Sequence, residues 1–334
     1  MKNAFLVITS IADDSNPTLN RIALEASCNN VPLVVVGDKK SPQNFDLKGC
    51  DFYSAQRQTD LDFSLAKILP FNHYARKNLG YLVAMAKGAE IILETDDDNL
   101  PMEGFWNERS RFVKAFLLNE KGWVNVFRYF TERTIWPRGF ALDKIREQTP
   151  ETESPVQVIC PIQQGLIDGN PDVDAIFRLA FPLQVKFNKS ENIAVGNDTI
   201  CPFNSQNTTW FREAFRLMYL PSYCGFRMTD IWRSFVAQRV AWTCGWPVMF
   251  HQSTVFQKRN QHNLLADFQE EIPGYLQNIQ IVETLQGLPL KNGIENIPEN
   301  MILCYEKLVE CGLVDIHEIA LLKAWLKDIE LINH

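Results

Sequence analysis

The sequence has no surplus of positive charge: 33 Lys and Arg face 40 Asp and Glu, a net charge of −7. Phosphate-backbone affinity comes from clustered cations, and no basic tract is present, so nucleic acid is excluded as the main partner. No apolar run approaches the roughly 18 residues that cross a bilayer, and no transmembrane segment is expected. The apolar stretch Ala4–Ile8 is too short for a signal-peptide core and reads as a strand. Eight cysteines form no C-x-x-C pair, so zinc-ligand spacing is missing. Without a secretory signal they are expected as reduced thiols in a cytoplasmic protein. Also missing are G-x-G-x-x-G after a strand, G-x-x-x-x-G-K-[ST], G-x-S-x-G and H-E-x-x-H, which leaves dehydrogenase, P-loop, serine hydrolase and zincin chemistry without an anchor. Internal repeats and low-complexity tracts are absent.

What is present is a globular composition, 46% hydrophobic and 22% charged, over 334 residues. The first hundred residues alternate β-like runs with helix-like stretches, the pattern of an α/β protein with a mostly parallel sheet flanked by helices. Strands are predicted at Phe5–Thr9, Val31–Gly37 and Ala89–Thr95, with a crossover helix over Thr18–Asn29. Asn72 is placed to cap a helix from His73 to Lys87, stopped by Gly88. Residues 137–205, rich in Pro, Gly, Asn and Asp, predict long loops and short strands. Helix is expected at Thr229–Val240 and strand at Trp246–Phe250, ending at His251. Past residue 264 the pattern turns helical, and Asp315-x-x-Glu318 reads as a capping box. The chain divides accordingly into a catalytic and binding domain, 1–264, and a C-terminal helical extension, 265–334.

Ligands of open α/β sheets bind beyond the carboxyl ends of the strands. Asp96-Asp97-Asp98 comes directly after such an end. Three adjacent carboxylates repel one another in a cleft, and a divalent cation removes the conflict; hard oxygen donors suit Mg²⁺ or Mn²⁺, which retain positions for substrate phosphates. The bland alternative is a solvated loop. One helix earlier, Arg76 and Lys77 stand in a first turn whose dipole and free N–H groups already favour anions. Gly80, one turn beyond Arg76, leaves room for a ligand or for close helix packing.

In this order, a strand entering Thr9-Ser10, a second ending in Gly37-Asp38, an Arg-Lys-Asn-x-Gly helix and a strand ending in Asp-Asp-Asp resemble the nucleotide-sugar half of GT-A glycosyltransferases. The runs Arg76-Lys77-Asn78-Leu79-Gly80-Tyr81-Leu82 and Met228-Thr229-Asp230-Ile231-Trp232-Arg233 resemble, more narrowly, the STELLO-like glycosyltransferases. The reversibly glycosylated proteins, which include UDP-sugar mutases, share the acid triplet and the Gly-Tyr-x-Val helix. The resemblance spans roughly residues 1–265.

It implies a GT-A-like, Rossmann-type fold and a metal-dependent glycosyltransferase using a nucleotide-diphosphate sugar, UDP-sugar favoured, with an unknown glycan, lipid or protein acceptor. Thr9 and Asp38 would sit beside the nucleoside, and Arg76, Lys77, Asn78 and Asp97 beside the base, ribose or diphosphate. Lys77 stands where common GT-A enzymes carry Arg. Asp96 and Asp98 would hold Mn²⁺ or Mg²⁺, with His251 as a third ligand, and Arg259 would clamp the leaving diphosphate. Asp230 occupies the place of the general base of inverting enzymes, although Thr-Asp before an apolar helix is also a plain N-cap. A UDP-sugar mutase or isomerase and a non-catalytic nucleotide-sugar-binding protein are the competing readings.

Overall fold

The computed structural model describes residues 1–182, 184–189, 191–258 and 263–333. In chain order its strands are β1 (Ala4–Thr9), β2 (Leu33–Val36), β3 (Cys50–Tyr53), β4 (Ile91–Thr95), β5 (Asn99–Pro101), β6 (Phe112–Leu118), β7 (Gly122–Trp123), β8 (Val156–Ile159), β9 (Ile162–Gly169), β10 (Ile193–Val195), β11 (Thr199–Ile200), β12 (Asn207–Phe211) and β13 (Val248–Gln257). The helices are α1 (Pro17–Cys28), α2 (Ala55–Thr59), α3 (Ser64–Ile68), α4 (Lys77–Ala86), α5 (Ala175–Ala180), α6 (Thr229–Trp242), α7 (Leu264–Gln286), α8 (Ile297–Glu310) and α9 (Glu318–Ile332).

Eleven strands among the described residues join in one sheet, ordered β3-β2-β1-β4-β12-β9-β13-β10-β6-β8, with β5 added to β13. The fold is the expected α/β type, a large central sheet flanked by helices. Its parallel character is concentrated in β3-β2-β1-β4, whose inner strands β2, β1 and β4 are apolar and buried and require cover on both faces. β12 then runs antiparallel to both β4 and β9, while β9 and β13 are parallel.

Helix α4 lies against this parallel half. His73, one residue later than expected, caps the turn leading into it by accepting the Ala75 amide, and Gly88 stands just past its end at φ +86°. Gly80 serves close packing: a Cβ there would stand 2.6 Å from Val7 Cγ1 and 2.7 Å from Val36 Cγ2. The helix therefore approaches β1 and β2 as only glycine allows.

The segment expected to be mostly loop holds β9, an eight-residue strand buried throughout. Its Gln and Asp residues mask the apolar pattern, and each finds an internal partner. Gln164 Oε1 accepts the Asn204 amide and the Thr208 hydroxyl; Asp168 accepts the Phe187 amide. β13 likewise runs six residues past His251.

The C-terminal helices share the apolar core of the sheet domain. Trp325 of α9 packs edge-on to Tyr81 of α4 and donates its indole N–H to the Arg216 carbonyl. Glu318 forms no capping box; its carboxylate turns inward, accepting the amides of Ser222 and Tyr223 and the hydroxyl of Tyr219. No helix of the described residues is long and apolar enough to cross a membrane.

Candidate functional site

Strand β4 opens with three apolar residues, Ile91-Ile92-Leu93, and its one carboxylate, Glu94, is bolted into the core. It accepts Trp210 Nε1 at 2.7 Å and Arg233 at 2.9–3.0 Å, and it also receives the Tyr81 hydroxyl. A strand held this firmly fixes the backbone of the next three residues, Asp96-Asp97-Asp98, before the chain turns back into β5.

The three acids face a cavity of about 450 Å³, a size that suits a small-molecule ligand. Its other walls are the carboxyl ends of β1 and β2, the turn entering α4, Gln206 and Gln257 beside the acids, and Phe226 with Arg227. Thr9, Asp38, Arg76, Asp96, Asp97 and Asp98 all line it, so six of the expected positions are brought together. Ser10 donates to Asp97 Oδ2 at 2.5 Å and Gln257 Nε2 to Asp98 Oδ2 at 3.0 Å. Burial, reinforced by the charge of Asp96 and opposed by Ser10, raises the Asp97 carboxyl above its ordinary range.

Lys77 supplies the balancing charge from below. Its fully buried ammonium lies among four oxygens: Tyr74 Oη and the Thr95 carbonyl at 2.8 Å, Asp96 Oδ1 and the Ser205 carbonyl at 3.1 Å. It is a counter-ion to the acids rather than a wall of the cavity. Asn78 also turns inward, exchanging two hydrogen bonds with the backbone of Leu220. Both depart from their expected place beside the ligand, because every residue from Lys77 to Met85 is buried and the helix has no open face.

Asp38 reaches the cavity wall, yet its oxygens accept the amides of Lys39, Asn72 and His73 at 2.7, 2.8 and 3.1 Å. It latches the turn before α4 to the end of β2. Asp230 lies under the site, 6% exposed, paired with Arg138 Nη2 at 2.8 and 3.0 Å. Arg138 also grips Asp172 at 2.8 and 3.0 Å. Burial opposes this charge, but the two carboxylates hold the guanidinium pKa well above its usual range. The Asp230 carboxylate is thus committed to an ion pair, not presented to the cavity as a base.

His251 does not join Asp96 and Asp98. His251, in β13, pairs with Gly165 of β9, four residues along that strand (about 13 Å) from Gly169, the partner of Gln257, which touches Asp98. Its Nδ1 lies 2.9 Å from the Gln252 carbonyl; burial and the charge of Arg109 push its pKa down to about 4. The third-ligand expectation is therefore corrected: His251 belongs to the irregular stretch of β13. Arg259 falls outside the described residues.

Four buried polar atoms on the cavity-lining residues have no partner among the described residues. Two are donors on the α4 side: Arg76 Nη2 and His73 Nε2, whose proton is assigned by Nδ1 accepting the Ala75 amide. Two are acceptors, Gln206 Oε1 and Gln257 Oε1, on residues that flank the acids. Arg76 is otherwise held by Gln58 Oε1 at 2.7 Å and the Leu69 carbonyl at 2.9 Å, and burial pushes its pKa down to about 10. Native proteins leave few buried polar groups unpaired, and four of the twelve such atoms among the described residues belong to residues of this cavity. Orphaned donors suit an anion and orphaned carbonyl oxygens a hard cation. No three His, Cys, Asp or Glu side chains among the described residues converge as a ready-made metal cage. Mg²⁺-type ions need none, since one or two carboxylates plus substrate phosphates suffice.

Residues 227–334 match the family model described as STELLO glycosyltransferases. Over 248 residues the chain is 28% identical to the Arabidopsis thaliana protein named "Probable glycosyltransferase STELLO2", covering 67% of this chain and 32% of that one. The match to "Probable glycosyltransferase STELLO1" from the same plant is 28% over 244 residues, 66% and 32%. The chain is thus similar to the STELLO glycosyltransferases, by the family model over residues 227–334 and by these two relatives over about two thirds of its length. It spans about a third of the length of these curated relatives. Among solved structures it is similar to a mycobacterial protein (TM-score 0.45, 11% identity, 86% of this chain and 76% of that one). It is also similar to glucosyl-3-phosphoglycerate synthase from Mycobacterium tuberculosis, crystallised with Mn²⁺, UDP and phosphoglyceric acid (TM-score 0.43, 10% identity, 86% and 79%).

Tyr74, Ser205, Gln206 and Gln257 were not singled out from sequence. Tyr74 carried a usable signal, being three residues before Lys77 and so able to share its helical face. The other three come from the ends of β12 and β13, which reach the acids only through sheet pairing.

Proposed function

We propose that this STELLO-like chain is a glycosyltransferase that takes a nucleotide-diphosphate sugar, UDP-sugar favoured, in the cavity beside Asp96–Asp98. The observation that carries the reading is the divided wall: acids with orphaned carbonyl oxygens on one side, orphaned Arg76 and His73 donors on the other. A diphosphate with its cation presents that same pair of charges. Asp96 and Asp98 would hold Mn²⁺ or Mg²⁺, which when bound neutralises charge developing on the departing diphosphate. Thr9 and Ser10, on the β1 side, would face the nucleoside, and Arg76 the phosphate charge. Eight free thiols suit a reducing compartment such as the cytoplasm.

Titration calorimetry with UDP tests the reading. Mn²⁺ is expected to strengthen UDP binding, and Asp98→Ala to abolish that gain while the protein stays folded. Equal affinity with and without Mn²⁺ would remove the metal, and no UDP binding at all would remove the donor.

The Asp230–Arg138 pair favours a second reading. A mutase that rearranges the donor's own sugar has no acceptor to deprotonate and needs no free carboxylate for that purpose. Conversion of a UDP-sugar without net transfer, monitored by chromatography, distinguishes it from the first.

A further inference from the structure

Asp96 is not held by charge alone. The Tyr74 hydroxyl lies 2.7 Å from Asp96 Oδ1, 2.6 Å from Ser205 Oγ and 2.8 Å from Lys77 Nζ. With the Tyr74 proton on Asp96, the Ser205 hydroxyl donates to Tyr74, and Ser205 reaches Asp230 Oδ2 through its backbone amide at 3.3 Å. One phenol oxygen therefore stands where the acids of the cavity meet the buried Asp230–Arg138 pair, and Tyr74 and Ser205 link Asp230 to the site. Lys77 supplies the charge for Asp96 but is shared among four oxygens, so it fixes distance rather than direction. The Tyr74 O–H, aimed at a single carboxylate oxygen, fixes direction. The ring is kept in place independently, edge-on to Phe226 at 6.3 Å with the Lys77 ammonium 5.0 Å from its centroid.

We infer that Tyr74 is a positioning residue of the site: its hydroxyl turns Asp96 so that Oδ1 is spent on the protein and Oδ2 is left for the ligand's cation, with Ser205 and Asp230 as the anchor behind it. The inference rests on the nucleotide-diphosphate reading above and adds a residue of the cavity wall whose hydroxyl acts through Asp96. It also gives buried Asp230 a part that requires no contact with an acceptor.

Tyr74→Phe keeps the ring and deletes the hydrogen bond. UDP and uridine are titrated into wild type and variant, with and without Mn²⁺. The Mn²⁺-dependent gain in UDP affinity is expected to fall roughly tenfold, the size of one lost bond to a charged group. Uridine binding, which involves no phosphate, is expected to stay unchanged, a split that general loosening of the fold would not give. Ser205→Ala is expected to move the same quantity in the same direction by a smaller factor. A Tyr74→Phe protein that keeps the full Mn²⁺ gain overturns the inference and leaves the donor reading intact. A proportional loss for UDP and uridine overturns it as well, assigning Tyr74 to packing. A wild-type protein whose UDP affinity ignores Mn²⁺ overturns the metal reading and this inference together.

Discussion

Asp328 caps the helix at Ser64 from the far end of the chain. Its two carboxylate oxygens accept the backbone amides of Ser64 and Leu65 at 2.8 Å each, across 264 residues of sequence. The local N-cap position of α3 is Phe63, which has no oxygen to offer, so α9 supplies what α3 lacks.

Asp328→Ala should therefore orphan two amides, one of them buried, in a helix of only five residues. The expected cost is about 2 kcal/mol. Urea unfolding is expected to show a lower midpoint at unchanged slope; an unshifted midpoint would mean the C-terminal helix is not needed to close α3.

Gly80→Ala should push α4 away from β1 and β2, since the new methyl meets two stiff valine side chains well inside contact distance. A loss of about 1–3 kcal/mol is expected. Weaker UDP binding should accompany it, because Arg76 begins the same helix. Calorimetry on the folded variant checks the second effect separately from the first.

Asp230→Asn should leave Arg138 buried with Asp172 as its remaining carboxylate partner. Breaking a buried pair in this way costs about 3 kcal/mol. A loss under about 1 kcal/mol in urea unfolding would show that Asp172 satisfies Arg138 alone and that Asp230 is available for chemistry.

Burial raises the Asp174 carboxyl to about 6, against the Phe177 amide and Trp136 indole that hold its oxygens. The folded state then binds a proton more tightly than the unfolded chain. Its contribution to stability is greatest below about pH 4 and is lost as pH rises through 6. Wild type is expected to lose roughly 2–3 kcal/mol relative to Asp174→Asn across that window. Parallel urea titrations from pH 4 to 7 measure the difference; a pH-independent gap would contradict it.

The parts of the site legible in sequence are those where one residue's place is set by its own segment. An apolar strand ending in three aspartates has to put them at a sheet's rim, and β1 and β2 have to deliver Thr9 and Asp38 to the same edge. What sequence missed depends on partners far away in the chain. Lys77 and Asn78 look like a solvent-facing first turn until β12 and the Leu220 segment are laid over them. Asp230 looks like a helix cap until Arg138, 92 residues earlier, is found against it. β9 is hidden for the same reason: its glutamines are polar by type, Gln163 satisfied by the Ser110 and Cys160 carbonyls and Gln164 by residues around Asn204 and Thr208. Periodicity reports which face is wet, and in this protein several charged faces are dry.

The Asp38 latch has one more implication. With the Asn72 and His73 amides fastened to the end of β2, the turn that carries Arg76 is tied to the sheet before any guest arrives. A guest would then meet, at that wall, an outline drawn by the sheet's own edge.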